Sequence, residues 1–396
     1  MSSMHDYIQK YGHLTFKEEA FNEVDALILN EIVYLPIEHF ISHDFDKNKA
    51  ISLKKLFQLY QPLAQYFMDR NAPLASLHRT GLIEAIADSA RYQSIQLLAF
   101  QNKIDFKIET QSAYLCMIID DLFINVIYRG TDDLIIGWKE DFMLAYQSSI
   151  PAHLFATQYL QNVLTHFPED KIILSGHSKG GHLALYAAGQ ISETALDRIL
   201  IIYTFDSPGH HLVTLKRKGM IQACKKQIRI VPNDSIVGMM LFHLSQPIVI
   251  KSKLSGFKQH DVSNWVICER QLERTHQTNV TSRMIDKANK EWLKNYSPAS
   301  RKYLTQTIFT LINATQARSI NEWYAEPQLH LNRLRSAFNQ LELSEQNEIK
   351  SSAKLYLKCL GRSFRGHRKE YFSYSWIEAK HNFLNILRFF QSIFGI

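Results

Sequence analysis

The hydrophobic positions of this 396-residue chain follow a helical period near both ends and a strand-like pattern in the middle. Within the first hundred residues, three segments repeat apolar side chains at intervals of three and four, which is typical of amphipathic helices. They are residues 20–37, 52–70 and 82–100. The same period returns after about residue 268 and continues to the end of the sequence. Both outer regions are therefore predicted to be helical.

Between about residues 112 and 268 the pattern changes to short apolar runs. Two β-rich runs, 112–119 and 122–128, are joined by Asp120-Asp121, which predicts a hairpin turn. An amphipathic helix is predicted over 153–167. Its apolar face comprises Phe155, Tyr159, Leu160, Val163 and Phe167.

Further apolar runs then alternate with helical segments. Strands are predicted at 171–174, 198–205, 227–231 and 246–252, and helices from Lys179 onward and over 213–226. Continuous apolar strands that alternate with helices indicate a mainly parallel sheet covered on both faces. No Gly/Ser linker separates the regions. The predicted organisation is a helical N-terminal extension (1–111), an α/β core (112–268) and a helical C-terminal extension packed on the core (269–396).

Charge is distributed unevenly along the chain. Residues 1–200 hold 16 Lys and Arg against 24 Asp and Glu, whereas residues 201–396 hold 29 against 14. The basic residues of the second half alternate with Glu along helical segments, and no nucleic-acid-binding motif accompanies them. We therefore expect a solvated helical face and no nucleic-acid partner, with an anionic membrane or substrate as the alternative.

The cysteines indicate a reducing compartment. Cys116, Cys224, Cys268 and Cys359 lie far apart and form no CxxC pair, which favours buried thiols over disulfides. The first residues lack the apolar region of a signal peptide, and no stretch of about 18 uncharged apolar residues predicts a membrane-spanning helix. We expect a cytoplasmic protein.

Ser178 is the candidate nucleophile. It lies in Gly176-His177-Ser178-Lys179-Gly180, a G-x-S-x-G sequence between an apolar strand and a helix. This setting is that of a nucleophile elbow, in which a serine at the tip of a strained turn projects above the sheet. The glycines leave room for the turn, and the helix N-terminus favours negative charge nearby. The alternative is a structural tight turn.

An oxyanion site is predicted beside the serine. One donor would be the backbone N–H of Lys179, and a second would come from the turn Arg129-Gly130-Thr131, which follows an earlier strand. Thr131 offers both its backbone N–H and its hydroxyl. Arg129 is expected to brace the loop by pairing with an acid such as Asp141.

The base and the acid should follow the serine in the order acid, then histidine. His260 is the preferred base because it lies in a loop after the last predicted strand. Asp234 is the preferred acid, and Asp206, which also ends a strand, is its rival. The competing histidines are His210, His211, His243 and His276.

Four blocks of the sequence resemble class 3 (fungal-type) lipases: "YRGTDD", "GHSKGGHLA", "TFDSPG" and "VPNDSIVG". The opening residues 5–37 and the "HDVSNW" block resemble, more closely, a bacterial Mbeg-like family of lipase-related α/β-hydrolases, over roughly residues 4–320. The resemblance implies an α/β-hydrolase fold, with Ser178 as nucleophile, Asp234 as acid and His260 as base. It also implies Thr131 and Lys179 as the oxyanion pair.

Two features depart from the lipase pattern. Lys179 follows the nucleophile where lipases prefer an apolar residue, and the secretion signal of the fungal enzymes is absent. Both argue against triglyceride digestion and leave ester hydrolysis in place. No HExxH, Walker A or GxGxxG sequence is present, so we expect no metal and no nucleotide cofactor.

A basic stretch and an amphipathic helix are predicted within 362–396. Trp376, Ala379, Phe383, Ile386, Phe390 and Ile393 share the apolar face. Such a helix contacts an anionic membrane surface or packs on protein.

The functional hypothesis is a serine hydrolase that cleaves carboxylic, lipid-type esters through an acyl-enzyme. The alternatives are a thioesterase or acyltransferase with the same triad, and a non-catalytic binding protein that retains the fold.

Overall fold

A central sheet of eight strands organises the computed structural model, which describes residues 3–68, 73–132, 134–317 and 319–366 together with Lys380 and Leu384. The strands lie side by side in chain order. They are β1 (Ile51–Ser52), β2 (Gln96–Asp105), β3 (Thr110–Ile119), β4 (Phe123–Arg129), β5 (Ile172–His177), β6 (Ile199–Phe205), β7 (Gln227–Pro232) and β8 (Ile248–Ile250). Strands β1 to β4 pair antiparallel, and β4 to β8 pair parallel. A separate antiparallel pair is formed by β9 (Ile267–Cys268) and β10 (Gln271–Leu272).

Helices cover both faces of the sheet. The N-terminal helices are α1 (Met4–Tyr11), α2 (Glu23–Ile32), α3 (Leu53–Tyr60), α4 (Ala64–Met68) and α5 (Pro73–Ala87). The next group is α6 (Ile135–Met143), α7 (Pro151–His166), α8 (Lys179–Ala188), α9 (Glu193–Leu196), α10 (Leu212–Leu215) and α11 (Lys218–Lys225). One apolar core joins the sheet to α1, α2, α3 and α5, and a second joins it to α7, α8 and α11. This arrangement is an α/β-hydrolase fold.

The described residues between Val280 and Gly366 are mainly helical. They form α12 (Val280–Asn295), α13 (Pro298–Ala314), α14 (Ile320–Ala325), α15 (Pro327–Gln340) and α16 (Leu343–Gly366). Helix α12 packs along α16, and α13 packs against α6. The Arg301 guanidinium of α13 donates to the Ala145 carbonyl oxygen at 2.6 Å, which fastens these helices to the core.

Several predicted elements are confirmed. Asp120 and Asp121 adopt positive φ values of 44° and 56°, as the two central residues of a type I′ turn require, and the Leu122 N–H closes this turn on the Ile119 carbonyl oxygen. The predicted helix at 153–167 corresponds to α7, with Tyr159, Leu160 and Val163 buried.

The helix predicted over 82–100 is wrong after Ala87. Helix α5 ends at Ala87, and β2 begins at Gln96. Residues 97–100 are a continuous buried apolar run, which a short window assigns to a helix or a strand equally well. The sheet therefore includes residues that precede position 112. The helix predicted over 213–226 is also divided, into α10 and α11.

The cysteines are all free thiols. Cys116, Cys224 and Cys359 are buried as predicted, but Cys268 is exposed. Within the described residues, no helix is long and apolar enough to span a bilayer. The amphipathic face predicted from Trp376 to Ile393 lies outside the described residues.

A buried ion pair anchors the N-terminal helices to the core. The Arg91 guanidinium donates two hydrogen bonds to the Asp25 carboxylate, at 2.8 and 2.6 Å, and neither side chain is exposed. The Tyr92 hydroxyl donates to the same carboxylate at 2.6 Å. Because α2 packs against β4 and β5, this pair helps to fix the chain that follows α2, including Tyr34. Tyr34 reaches the candidate site.

A row of buried histidines lies between α7, α8 and the segment after β6. The Ile150 N–H donates to Nδ1 of His153 at 3.1 Å, so the His153 proton resides on Nε2. That atom lies 2.7 Å from Nε2 of His182, whose Nδ1 in turn lies 2.8 Å from the Gly209 carbonyl oxygen. The His210 ring stacks on His182, with 4.0 Å between centroids. This bonding pattern requires His153 and His182 to be neutral.

The histidine row should make the fold sensitive to acid. Burial lowers the pKa of His182 to about 4 and places the pKa of His153 and His210 well below the usual range. The unfolded chain therefore binds more protons than the native chain below about pH 6.5, and stability falls as pH falls. We expect His182 alone to remove about 2 kcal/mol between pH 7.5 and pH 5. Urea unfolding at the two pH values measures the loss.

The control for this experiment is His182→Gln, which cannot titrate in this range. Its stability should change less between the two pH values than that of the wild type. Equal pH dependence in both proteins would show that the row does not control acid stability.

Candidate active site

The turn between β5 and α8 has the geometry of a nucleophile elbow. Ser178 adopts φ 55° and ψ −131°, a conformation that non-glycine residues rarely occupy. A Cβ on Gly176 would lie 2.3 Å from the Gly180 carbonyl carbon, and a Cβ on Gly180 would lie 1.9 Å from the Tyr128 carbonyl oxygen. Both glycines are therefore required by close backbone approach.

Ser178 lies at one end of a chain of hydrogen bonds through an imidazole. Its Oγ is 3.0 Å from Nε2 of His260, and Nδ1 of His260 is 2.7 Å from Oδ2 of Asp206. Asp206 is almost fully buried, whereas His260 keeps 18% of its side chain exposed. Because a carboxylate can only accept, the His260 proton resides on Nδ1, and Nε2 is left to accept the serine proton. The three side chains are thus connected in the order serine, histidine, acid.

The structure corrects the predicted acid. Asp206, and not Asp234, contacts His260. The reason is the strand order: Ser178 follows β5 and Asp206 follows the adjacent strand β6, whereas Asp234 follows β7, one strand further away. Each strand adds about 4.8 Å, so an imidazole over Ser178 reaches the end of β6 more easily than the end of β7.

Asp234 instead shapes the loop that carries His260. Its carboxylate accepts the Gly256 N–H, and its own N–H donates to Oε1 of Gln259 at 2.9 Å. Both partners, Gly256 and Gln259, belong to the 3₁₀ turn Gly256–His260. The second oxygen of Asp206 accepts the Ser235 hydroxyl and the Gly238 N–H.

The competing histidines occupy other positions. His210 stacks in the buried row described above, and Nε2 of His211 is 2.8 Å from the Leu144 carbonyl oxygen. His243 is half-buried, and His276 is exposed. Of the five candidates, the structure brings His260 to Ser178.

The predicted oxyanion turn lies against the nucleophile. A Cβ on Gly130 would lie 3.2 Å from Cβ of Ser178, which shows how closely the two turns approach. The Thr131 hydroxyl donates to the Asp141 carboxylate. The predicted pairing of Arg129 with Asp141 is wrong, because the guanidinium contacts Asn102 at 3.1 Å and Asp132 at 3.3 Å.

The surroundings of Lys179 show how a charged residue is accommodated directly after Ser178. Its Nζ lies 3.1 Å from Oε2 of Glu140, and both side chains are buried. Glu140 also accepts the Thr110 hydroxyl and the N–H groups of Gln111 and Ala152, so its charge is fully hydrogen-bonded. Such pairing offsets the large cost of burying two charges. No pattern in the sequence indicated Glu140 as part of the site.

Asp141 lies next to the Lys179–Glu140 pair. Its Oδ1 is 3.8 Å from Nζ of Lys179. Burial raises the pKa of Asp141 to about 6, while the Lys179 ammonium and the Thr131 hydroxyl act in the opposite direction. At neutral pH the Asp141 carboxylate is mostly ionised and holds the Thr131 hydroxyl.

The side chains of Tyr34 and His177 link the loops of the site. The sequence did not indicate that these two side chains lie together. Nε2 of His177 is 2.9 Å from the His260 carbonyl oxygen, and Nδ1 of His177 lies 3.5 Å from the Tyr34 hydroxyl. The Gly130 N–H donates to the same hydroxyl at 3.0 Å. Burial keeps the pKa of His177 well below its usual range, so the ring is neutral and donates from Nε2. Tyr34 and His177 therefore connect the oxyanion turn to the His260 loop.

A cavity of about 920 Å³ opens beside Ser178 and His260. Its lining includes Thr131 and Lys179, residues of α6, and residues of α12, α13 and α16. The contribution of the C-terminal helices could not be predicted from the sequence, because their periodicity does not show which face meets the core.

The family of this chain can be identified from its sequence. The profile of the Mbeg1-like family matches residues 86–310, more than half of the chain. The chain belongs to the Mbeg1-like family. The matched range includes the three hydrogen-bonded residues Ser178, His260 and Asp206. It ends before α15 and α16. Comparison with curated proteins gave no match.

Among solved structures, the Mbeg1-like chain is distantly similar to several lipases and related proteins. It is 14% identical to the Lip2 lipase of Yarrowia lipolytica over 47% of this chain and 72% of that chain, with a TM-score of 0.31. It is 16% identical to a lipase of Rhizopus microsporus var. chinensis over 53% and 80%, with a TM-score of 0.29. It is 13% identical to an MDLA variant of Penicillium cyclopium over 63% and 83%, with a TM-score of 0.35.

Proposed function

We propose that this Mbeg1-like protein is a serine hydrolase that cleaves carboxylic esters through Ser178, His260 and Asp206. The observation that carries the proposal is the hydrogen-bond chain from Ser178 Oγ through His260 to the buried Asp206, at 3.0 and 2.7 Å, on a strained elbow. A buried acid, an oriented imidazole and a partly exposed hydroxyl are the parts that activate a serine.

The reaction follows from the positions of these groups. His260 Nε2 takes the proton of Ser178 as Oγ attacks the ester carbonyl carbon, and Asp206 stabilises the imidazolium that forms. The developing oxyanion would be held by the backbone N–H groups of Lys179 and Thr131. His260 then protonates the departing alcohol, which leaves an ester between the acyl group and Ser178. Water, deprotonated by His260, releases the acid in the second half of the cycle.

The contacts of Asp141 support Thr131 as an oxyanion donor. Because Asp141 accepts the Thr131 hydroxyl, it fixes the turn whose N–H must point at the oxyanion. The buried Lys179–Glu140 pair fixes the other donor, since the side chain that anchors the first turn of α8 cannot move without breaking the pair.

Pre-steady-state hydrolysis of p-nitrophenyl butyrate tests the proposal. An acyl-enzyme predicts a burst of p-nitrophenol equal to the enzyme concentration if deacylation is slower than acylation, followed by steady turnover. Folded protein that releases no p-nitrophenol above the buffer rate, in the burst or in the steady state, would identify a binding protein without hydrolase activity.

A further inference from the structure

We propose that α12, α13 and α16 form the binding chamber for the acyl chain, and that the preferred substrates are esters of long-chain fatty acids. The inference rests on the proposed function and specifies its substrate. It depends on the different side chains that the C-terminal helices and the other elements contribute to the lining of the cavity.

The lining that the three C-terminal helices contribute is mainly apolar. It comprises Trp292, Leu293, Leu304, Ile308, Ile349 and Ala353, with the polar residues Asn289, Thr305, Ser352 and Tyr356 among them. Trp138 and Phe142 of α6 line the same cavity and pack against α13. An apolar cavity lined in this way binds hydrocarbon in preference to water or charge.

The chamber is built from helices that are held in place. The Phe142 ring packs edge-on against Phe309 of α13, with 5.4 Å between centroids. Arg301 fastens the start of α13 to the Ala145 carbonyl, as described above. Leu304 and Ile349 pack in one apolar cluster, so α13 and α16 hold each other. The space is therefore present before a substrate enters, and little binding energy is lost in forming it.

The lining from α5 and from the loop that carries His260 is more polar. It includes His78, Arg79, Lys258, Asp261 and Ser263, together with Val262. Arg79 is paired with the buried Glu31 at 2.9 Å, whereas Lys258 and Asp261 are exposed. A polar alcohol group fits this part of the lining, because moving it into the apolar chamber would remove its hydrogen bonds with water. The ester bond then lies at Ser178, between the two environments.

The size of the cavity supports a long chain. At about 920 Å³ it lies near the upper end of the range of about 300–1,000 Å³ for small-molecule sites. A short acyl group would leave most of the apolar wall without contact. Each further methylene that reaches this wall should raise kcat/KM about four-fold until the chamber is full.

The test compares p-nitrophenyl esters from acetate to palmitate with the full-length wild type and with Ala353→Phe. Ala353 is buried in α16 and lines the chamber, so a phenyl ring there fills part of the space. We expect kcat/KM of the wild type to rise with chain length. In Ala353→Phe it should fall at least ten-fold for palmitate and change less than three-fold for acetate.

The matched control is Ser351→Phe, which adds the same ring to an exposed position of the same helix. It should keep the wild-type chain-length profile. A wild-type profile that is flat or falls beyond butyrate would overturn the inference, and this result does not depend on the variants folding. An equal loss for acetate and palmitate in a folded Ala353→Phe would also overturn it. If no ester is cleaved, including acetate, the proposed function is wrong and this inference fails with it.

Discussion

Ser178→Ala is expected to lower kcat for ester hydrolysis by about 10⁵- to 10⁶-fold, with the fold unchanged. The alanine variant has no oxygen to form the acyl bond, so only the binding site and oxyanion donors remain. Steady-state kinetics with p-nitrophenyl butyrate measure the effect. The elbow itself should survive, because the glycines on either side of Ser178 impose its backbone shape.

Ser175→Ala is the matched control for this loss. It removes the same hydroxyl three residues earlier on β5, where Ser175 donates to Asn125 at 3.0 Å and lies outside the triad. We expect a modest loss of stability, about 1–3 kcal/mol, and activity within a few-fold of the wild type. Equal activity in Ser178→Ala and the wild type would exclude Ser178 as the nucleophile.

Asp206→Asn is expected to lower kcat by about 10³- to 10⁴-fold. The amide that replaces the carboxylate can donate a proton to Nδ1 of His260, which then carries its own proton on Nε2. An imidazole in that tautomer cannot accept the proton of Ser178. The variant should also lose the negative charge that stabilises the imidazolium in the transition state.

Asp234→Asn distinguishes the two acids. The side-chain amide of this variant retains an oxygen that can accept the Gly256 N–H, so we expect less than a ten-fold loss of kcat. Measuring kcat against pH for both variants adds a readout that misfolding would not produce. Activity of Asp206→Asn should recover in part at high pH, where hydroxide replaces the general base. A large loss in Asp234→Asn alone would assign the acid to Asp234.

The nucleophile elbow could be predicted from the sequence because it depends on local geometry. Glycines at fixed distances from Ser178 and a strand–helix boundary are visible in one short segment. The hairpin at Asp120-Asp121 was predictable for the same reason, since the turn requires two consecutive residues in the left-handed conformation.

The acid was not predictable in this way. Both Asp206 and Asp234 end strands, and the choice between them depends on which strand lies next to β5. That is a long-range property of the sheet, and chain order alone does not determine it. The sequential strand order, once known, places Asp206 beside His260.

The environment of Lys179 depends on the same long-range information. The sequence shows a lysine where an apolar residue is usual, but its partner Glu140 lies 39 positions away, on α6. The lining of the cavity by α16 is a similar case, since Ala353 lies far from Ser178 along the chain. Periodicity predicted these helices and left their contacts undetermined.

The most direct test of the account is the reaction of the full-length protein with a fluorophosphonate probe, followed by peptide mass spectrometry. If Ser178 is the nucleophile and Asp206 the acid, one stoichiometric adduct should form on the peptide that contains Ser178. It should be absent in Ser178→Ala and form much more slowly in Asp206→Asn. No adduct on the folded wild-type protein, or an adduct at another serine that persists in Ser178→Ala, would contradict these assignments.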